Sequence, residues 1–209
     1  MLGLYIHIPF CKRKCPYCDF VSYDNFDYLI DDYINTLFNE LQIYKKKFNP
    51  FFETVYIGGG TPSILSNKQL KKFFSKLFSI VERAKIKEIT FEVNPGTLDD
   101  DKIKIISENI NRVSVGVQSF NDDILKFIGR IHNSKEIFLT FDKLKKSGIK
   151  NINMNKFNSI YLTPGTETMK KIHEFLTTYI ENFKRNFKFH KKEFSDQTLD
   201  RQPNLDLAI

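Results

Sequence analysis

Long apolar runs, a secretory signal and nucleic-acid-binding motifs are all absent from this sequence. Nowhere do about 18 apolar residues follow one another, so no membrane-spanning helix is predicted. Near the start of the chain, Gly3, Tyr5, His7 and Pro9 interrupt the apolar core that a signal peptide needs. We therefore expect a cytoplasmic, reducing location and no membrane span. No signature of a DNA- or RNA-binding module is present, so a nucleic-acid partner is not expected.

Cysteine is scarce, and its three copies lie together. Cys11, Cys15 and Cys18 form a C-x3-C-x2-C pattern after a short apolar segment. A structural zinc site usually takes four ligands, and a disulfide would leave one thiol over. Three thiolates can instead hold a [4Fe–4S] cluster and leave its fourth iron open for a reactive ligand. The spacing favours such a cluster, with a zinc site or unrelated thiols as the alternatives.

The composition is typical of a globular protein with moderately more basic than acidic residues. The 209 residues are 41% hydrophobic, which is enough for one domain with a sizeable core. The net charge of +7 could attract an anionic ligand. Because the lysines are scattered along the sequence, ordinary solvated helix faces are the simpler interpretation.

Alternation of strand and helix patterns runs through most of the chain. Buried-strand patterns cover residues 2–8, 54–57, 88–93, 112–117 and 150–154. Helical spacing of apolar residues covers 27–44, 67–83, 99–108, 122–128 and 134–147. Five repeats of strand, loop and helix predict an α/β fold with a parallel sheet. The pattern alone leaves an open doubly wound sheet and a barrel as alternatives.

Polar or glycine-rich motifs follow these predicted strands, where parallel-sheet proteins gather their chemistry. They are Gly58-Gly59-Gly60-Thr61-Pro62-Ser63, Glu92 in Glu-Val-Asn-Pro-Gly, Gln118, and Arg130 in Gly-Arg-Ile-His. Three glycines allow a ligand to approach the backbone, and a guanidinium suits a carboxylate. The simpler alternatives are a turn, a strand-end glutamate and a surface salt bridge. His132 is interpreted as a capping or packing residue.

The residues around the cysteines resemble a known family. Cys11-x3-Cys15-x2-Cys18 resembles the radical S-adenosylmethionine (SAM) superfamily, and the preceding Tyr-Ile-His-Ile-Pro-Phe is similar to the oxygen-independent coproporphyrinogen III oxidase family. The true oxidases usually carry another cysteine where this chain has Phe20, which indicates the heme-chaperone branch, HemW. The resemblance implies a partial (β/α)6 barrel, here with five to six β/α units.

Site residues follow from the same resemblance. Cys11, Cys15 and Cys18 would hold the [4Fe–4S] cluster, whose open iron would bind SAM. The residues expected to contact SAM are Tyr5, Tyr17, Gly59, Gly60, Thr61, Glu92, Gln118 and Arg130. The reduced cluster would split the sulfonium of SAM and give a 5′-deoxyadenosyl radical. We assign no catalytic residue beyond the cluster ligands.

The resemblance weakens beyond residue 154. The family has an aspartate that touches SAM in this region, and Asn155 or Asn158 stands in its place here. An asparagine keeps an acceptor oxygen but loses the charge. We predict that residues 1–165 form the partial barrel. Residues 166–209 would form a helix, over 168–183, and a basic and polar tail, without the family's C-terminal domain.

Three functions remain open after this comparison. The first is a HemW-type heme chaperone that carries a [4Fe–4S] cluster and SAM and binds heme or a porphyrin. The second is a radical SAM oxidase that decarboxylates coproporphyrinogen III, and the third is an inactive, truncated barrel. The first two would need an electron donor such as flavodoxin or ferredoxin.

Overall fold

The computed structural model describes residues 2–156, which alternate between strand and helix as predicted. The strands are β1 (Gly3–Ile8), β2 (Thr54–Gly59), β3 (Glu88–Val93), β4 (Arg112–Gln118) and β5 (Asn151–Lys156). The α-helices are α1 (Ile30–Phe48), α2 (Asn67–Ile80), α3 (Asp100–Asn109), α4 (Asp122–Phe127) and α5 (Ser134–Lys146). Short 3-10 turns cover Asp27–Leu29, Pro62–Ile64 and Arg83–Lys85.

Strand order decides between the two topologies that the sequence left open. The five strands of the described part are parallel and lie in the order β1-β2-β3-β4-β5. A doubly wound sheet reverses its order at a switch point, and this sheet does not. Parallel crossovers are right-handed, so consecutive ones place their helices on the same face of the sheet. The fold is therefore the partial β/α barrel that the family resemblance implies.

The helices bury one face of the sheet in an apolar core. Ile57 of β2, Phe91 of β3 and Val113 of β4 are fully buried there. Phe91 lies 6.0 Å, centroid to centroid, from Phe74 of α2. Burial of such side chains is the main force that holds helices to a sheet, at about 1.5–3 kcal/mol each.

Local sequence explains where the helices begin and end. Ser66 and Gln69 form a capping box at the start of α2, because each side chain bonds the other's backbone N–H. The helix ends at Ile80 instead of continuing to residue 83, since Val81 is extended and buried. Similarly, α1 begins at Ile30 because the three residues before it form a 3-10 turn. These shifts move helix ends only and leave the predicted order intact.

The second face of the sheet, which we call the inner face, carries polar side chains. Tyr5, Tyr56, Glu92 and Ser114 alternate with buried apolar residues along their strands, so they point to the opposite side. Asn155 of β5 reaches the same side, where it donates to Ser114 Oγ. The carboxyl ends of all five strands lie along one edge of this face. Loops that leave this edge carry the candidate site.

Some predictions fall outside the described residues. The helix over 168–183, the boundary at residue 165 and the alternative SAM residue Asn158 all lie beyond residue 156. Among the helices of residues 2–156, none combines the length and the apolar character that a membrane span requires.

Candidate metal and cofactor site

The three cysteines lie on one loop that the backbone closes at its base. Phe10 and Tyr23 form a parallel bridge, Cys11 N donates to Tyr23 O at 2.9 Å, and Tyr23 N donates to Pro9 O at 2.7 Å. Cys18 N donates to Cys15 O at 3.0 Å, so the last two cysteines share a tight turn. All three thiols are free, and the loop holds them together after β1.

The glycine-rich loop after β2 is bonded directly to this cysteine loop. Gly60 N donates to Ile8 O and Thr61 N donates to Phe10 O, both at 2.8 Å. A Cβ atom on residue 60 would lie 2.7 Å from Phe10 O, which is too close for any side chain. Glycine at this position therefore allows the two loops to touch.

A chain of polar contacts connects the first cysteine to the second through two further strand ends. Cys11 Sγ lies 3.5 Å from Thr61 Oγ1, which accepts a hydrogen bond from Asn94 Nδ2 at 2.9 Å. Arg130 Nη2 donates to Asn94 Oδ1 at 2.7 Å and to Gly116 O at 2.9 Å. The other terminal nitrogen of Arg130, Nη1, lies 3.6 Å from Cys15 Sγ and 3.5 Å from the Tyr17 hydroxyl. We call these residues the arginine network.

Burial favours the neutral forms of the Cys11 thiol and the Tyr17 hydroxyl. Burial raises the pKa of the Cys11 thiol. Hydrogen bonds from Thr61 and Ser22 oppose this effect, and the neighbouring Cys18 and Cys15 add to it. Burial also raises the pKa of Tyr17, although the Arg130 guanidinium lowers it. Metal binding needs thiolates, so iron at this loop would have to displace the thiol protons.

Gln118 ends β4 beside the same network. The register between β4 and β5 shifts between Gly116 and Gln118, and residue 118 has a positive φ of 64°. A Cβ atom on Gly116 would lie 2.5 Å from Asn94 Oδ1 and 3.5 Å from both Arg130 Nη2 and Gln118 Nε2. The missing side chain at Gly116 thus leaves room for three polar groups to surround the end of the strand.

Glu92 belongs to a second group on the inner face. Tyr56 Oη donates to Glu92 Oε1 at 2.6 Å, and Gly59 N donates to Glu92 Oε2 at 3.1 Å. Tyr5 stacks on Tyr56 with 6.0 Å between ring centroids, and its hydroxyl lies 3.0 Å from His7 Nδ1. Burial raises the pKa of Glu92, and the two hydrogen bonds lower it. The carboxylate is therefore held in place, and its oxygens can still accept a further hydrogen bond.

Asn155 stands apart from both groups. Its Nδ2 donates to Ser114 Oγ at 2.8 Å, and its Oδ1 accepts from Asn153 Nδ2 at 2.7 Å. In the strand register it pairs with Gly116, so its backbone is close to the arginine network. Its side-chain contacts, however, are with the sheet. The fold thus gathers Thr61, Arg130 and Tyr17 at the cysteines, with Gln118 close to Arg130. Glu92, Gly59 and Tyr5 belong to the separate group on the inner face.

Two residues of the site were missed by sequence reasoning. Asn94 connects Thr61 to Arg130, and Tyr56 holds Glu92. Asn94 lies inside the Glu-x-Asn-Pro motif and could have been chosen on that ground. Tyr56 follows the alternation of β2, yet its partner lies on another strand, and only the strand register shows that the two meet.

The donor set fits an iron–sulfur cluster with one open iron. Each iron of a [4Fe–4S] cube takes its own ligand, so three thiolates on one loop are spread around a cluster and need not meet at a single point. Within residues 2–156, no three His, Cys, Asp or Glu side chains converge on one point as the ligands of a single ion do. Arg130, beside Cys15, supplies a cation near the sulfurs.

The structure therefore defines the class as an α/β-barrel protein with three free cysteines in the loop after its first strand, which form a candidate metal site. Comparison with known families makes the assignment specific. The family model "Radical SAM superfamily" matches residues 5–178, which is most of the chain. This chain belongs to the radical SAM superfamily, and membership implies a [4Fe–4S] cluster and SAM.

Individual relatives show which members of the superfamily this chain resembles. The chain is 38% identical over 178 residues to "Heme chaperone HemW" of Lactococcus lactis subsp. lactis, covering 85% of this chain and 45% of that protein. It is 37% identical over 164 residues to the Escherichia coli protein of the same name, covering 76% and 43%. The structure of coproporphyrinogen III oxidase (HemN) from Escherichia coli superposes with a TM-score of 0.67 at 26% identity, covering 74% and 36%. The chain spans about half the length of the curated relatives it matches.

Proposed function

We propose that this chain is the radical SAM part of a HemW-type heme chaperone. The observation that carries the proposal is the arginine network, which connects Cys11, Thr61, Asn94, Arg130 and Cys15 into one polar surface. This surface joins the cysteine loop to the glycine loop and to the ends of β3 and β4. A cluster and a zwitterionic nucleotide would both meet complementary groups there.

Each side chain has a distinct part in this proposal. Cys11, Cys15 and Cys18 would hold the cluster, which would supply one-electron reduction chemistry for SAM cleavage. Gly59, Gly60 and Thr61 leave backbone groups open to the methionyl end of SAM. The Arg130 guanidinium suits its carboxylate, and the Glu92 carboxylate can accept from hydroxyl or ammonium groups. Tyr5, Tyr17 and Gln118 line the pocket, with Asn155 at its edge.

The heme-chaperone assignment rests on relatives and on one position in the loop. The relatives named HemW match most of this chain, and Phe20 stands where the true oxidases usually have a cysteine. The structural similarity to HemN keeps the decarboxylation of coproporphyrinogen III as the second candidate. An electron donor such as flavodoxin or ferredoxin would serve either activity. An inactive barrel is the remaining alternative.

The proposal includes a division of the chain and a location. Residues 1–165 would form the partial barrel, and residues 166–209 would lie outside it. A cytoplasmic location fits a site that needs three reduced thiols.

One anaerobic experiment separates the candidates. The chain is reconstituted with iron and sulfide and tested for SAM binding, heme binding and turnover of coproporphyrinogen III with SAM and a reductant. A chaperone should bind about four irons, SAM and heme without decarboxylation. Loss of carbon dioxide from coproporphyrinogen with formation of 5′-deoxyadenosine would establish the oxidase instead. If the reconstituted chain does not hold iron, the inactive barrel is the candidate that remains.

A further inference from the structure

Gln118 is held in a backbone conformation that glutamine rarely adopts. Ser119 N donates to Val117 O at 2.8 Å, which closes a γ-turn around residue 118. The φ of 64° makes it the rarer and more strained form of this turn. Three residues other than glycine have a positive φ in the described part of the chain, and the other two, Asn25 and Asn49, are asparagines, which tolerate it. Something outside the turn must therefore stabilise it.

His132 contacts the same carbonyl from the next segment of the chain. Its Nε2 lies 3.2 Å from Val117 O, and its side chain is only 4% exposed. A carbonyl oxygen accepts only, so Nε2 must carry a proton, and in the neutral imidazole Nδ1 then carries none. Nδ1 has no hydrogen-bond partner among residues 2–156. The one polar contact that this buried imidazole makes there is thus the contact with the strained turn.

The position of His132 is fixed by the helix that follows it. Asn133 caps α5 through a capping box with Glu136, in which Asn133 Oδ1 accepts from Glu136 N at 3.0 Å and Glu136 Oε2 accepts from Asn133 N at 2.9 Å. The histidine directly precedes this cap, so a rigid helix terminus presents its ring to the end of β4.

The turn decides where the Gln118 amide points. Gln118 Nε2 comes as near to the open side of Gly116 as Arg130 Nη2 does, at 3.5 Å from a Cβ placed there. In an ordinary extended strand, residue 118 would continue the alternation of β4 without this shift in register. The strained turn is therefore what brings the amide to the arginine network.

We propose that His132 is a positioning residue that holds the γ-turn at Gln118 and so aims the Gln118 amide into the SAM pocket. The consequence for SAM rests on the proposed function above, whereas the clamp on the turn does not. The hydrogen bond from a buried neutral imidazole offsets the strain at residue 118, and the capped helix α5 supplies the fixed support. The imidazole itself does not touch the ligand.

The test is a double-mutant cycle on the reconstituted full chain. His132→Leu removes the donor, and His132→Gln places an amide nitrogen near the position of Nε2 as the conservative control. Each is made with Gln118 and with Gln118→Gly, because glycine adopts a positive φ without strain. The readouts are the thermal unfolding midpoint and the SAM dissociation constant.

We expect His132→Leu to lower the unfolding midpoint more in the Gln118 chain than in the Gln118→Gly chain. It should also weaken SAM binding about tenfold when Gln118 is present, since displaced contact groups bind poorly. His132→Gln should recover much of both losses, and His132→Leu should leave SAM affinity unchanged in the Gln118→Gly chain.

Equal effects of His132→Leu in both backgrounds would overturn the proposal, because His132 would then act as a general core residue. No effect in either background would overturn it as well. If even the parent chain fails to bind SAM, the proposed function is wrong, and the unfolding cycle alone still decides whether His132 holds the turn.

Discussion

The two faces of the sheet differ in almost every physical respect. On the helix-covered face, Ile57, Phe91 and Val113 are fully buried and interact through packing alone. On the inner face, directional hydrogen bonds join neighbouring strands, from Tyr56 to Glu92 and from Asn155 to Ser114. Parallel sheets with helices on both faces have apolar residues throughout their strands, so the alternation here indicates that the helices of residues 2–156 cover one face only. The two faces should respond differently to substitution.

The largest effect should follow from a substitution in the cysteine loop. Cys15→Ala removes one thiolate, and a cube with only two protein ligands is not retained. We expect iron content after reconstitution to fall from about four per chain to near zero. Iron analysis and cluster absorbance measure this. Lys12→Ala in the same loop is exposed and should keep full iron, and loss of iron in both variants would contradict the assignment.

Neighbouring residues of β3 test the two faces against each other. Phe91→Ala opens a cavity in the core and should lower the free energy of unfolding by about 3–5 kcal/mol. Glu92→Gln keeps the shape and removes a charge that burial already disfavours, so the unfolding free energy should change little. Chemical denaturation measures both.

For SAM affinity the order should reverse. Below its unfolding temperature, Phe91→Ala should bind SAM like the parent chain, whereas Glu92→Gln should bind it about tenfold more weakly through loss of a charged acceptor. Similar SAM affinities in these two variants would mean that the inner face does not bind SAM.

Acid should destabilise the chain through His132. Burial and the nearby Arg130 lower the pKa of His132 to about 4, compared with about 6.5 in the unfolded chain. Above pH 6.5 both states are neutral and the stability is fully present. As the pH falls toward 4, the unfolded chain takes up a proton that the folded chain refuses, which removes up to about 3 kcal/mol.

The measurement is denaturation of the iron-free chain at several pH values between 7 and 4. His132→Gln does not titrate in this range, so its stability should change less with pH than that of the parent chain. Parallel pH curves for the two proteins would show that His132 is accessible to protons in the folded state.

The smallest effect compares two arginines at opposite ends of β4. Arg130 follows the strand and contacts Asn94, whereas Arg112 begins the strand and donates to Thr90 Oγ1 at 3.1 Å. Arg130→Lys loses the fork of donors and should weaken SAM binding about tenfold with unchanged iron content. Arg112→Lys should leave SAM affinity unchanged, which isothermal titration can check. Equal losses of SAM affinity in both variants would show that the two ends of β4 do not differ in SAM binding.

Local sequence signals determine the strands, the helices and the grouping of the cysteines. The strand patterns over residues 54–57 and 88–93, together with the helical stripes, predicted the strands and α-helices and placed the motifs after strands, whereas the three 3-10 turns were not predicted. The three cysteines lie within eight consecutive residues, so they stay close to one another whatever the tertiary structure is. Both signals are local in the chain, so the sequence alone carries them.

The tertiary structure decided what depends on contacts between distant residues. The order of the strands, the bond from Tyr56 to Glu92, the position of Asn94 between Thr61 and Arg130, and the clamp of His132 on Val117 all join separate segments. Side-chain type limits which groups can pair, but only the folded arrangement brings one strand end to another. For that reason the sequence by itself determined which residues are the candidate metal ligands, and the fold determined how the surrounding side chains are held.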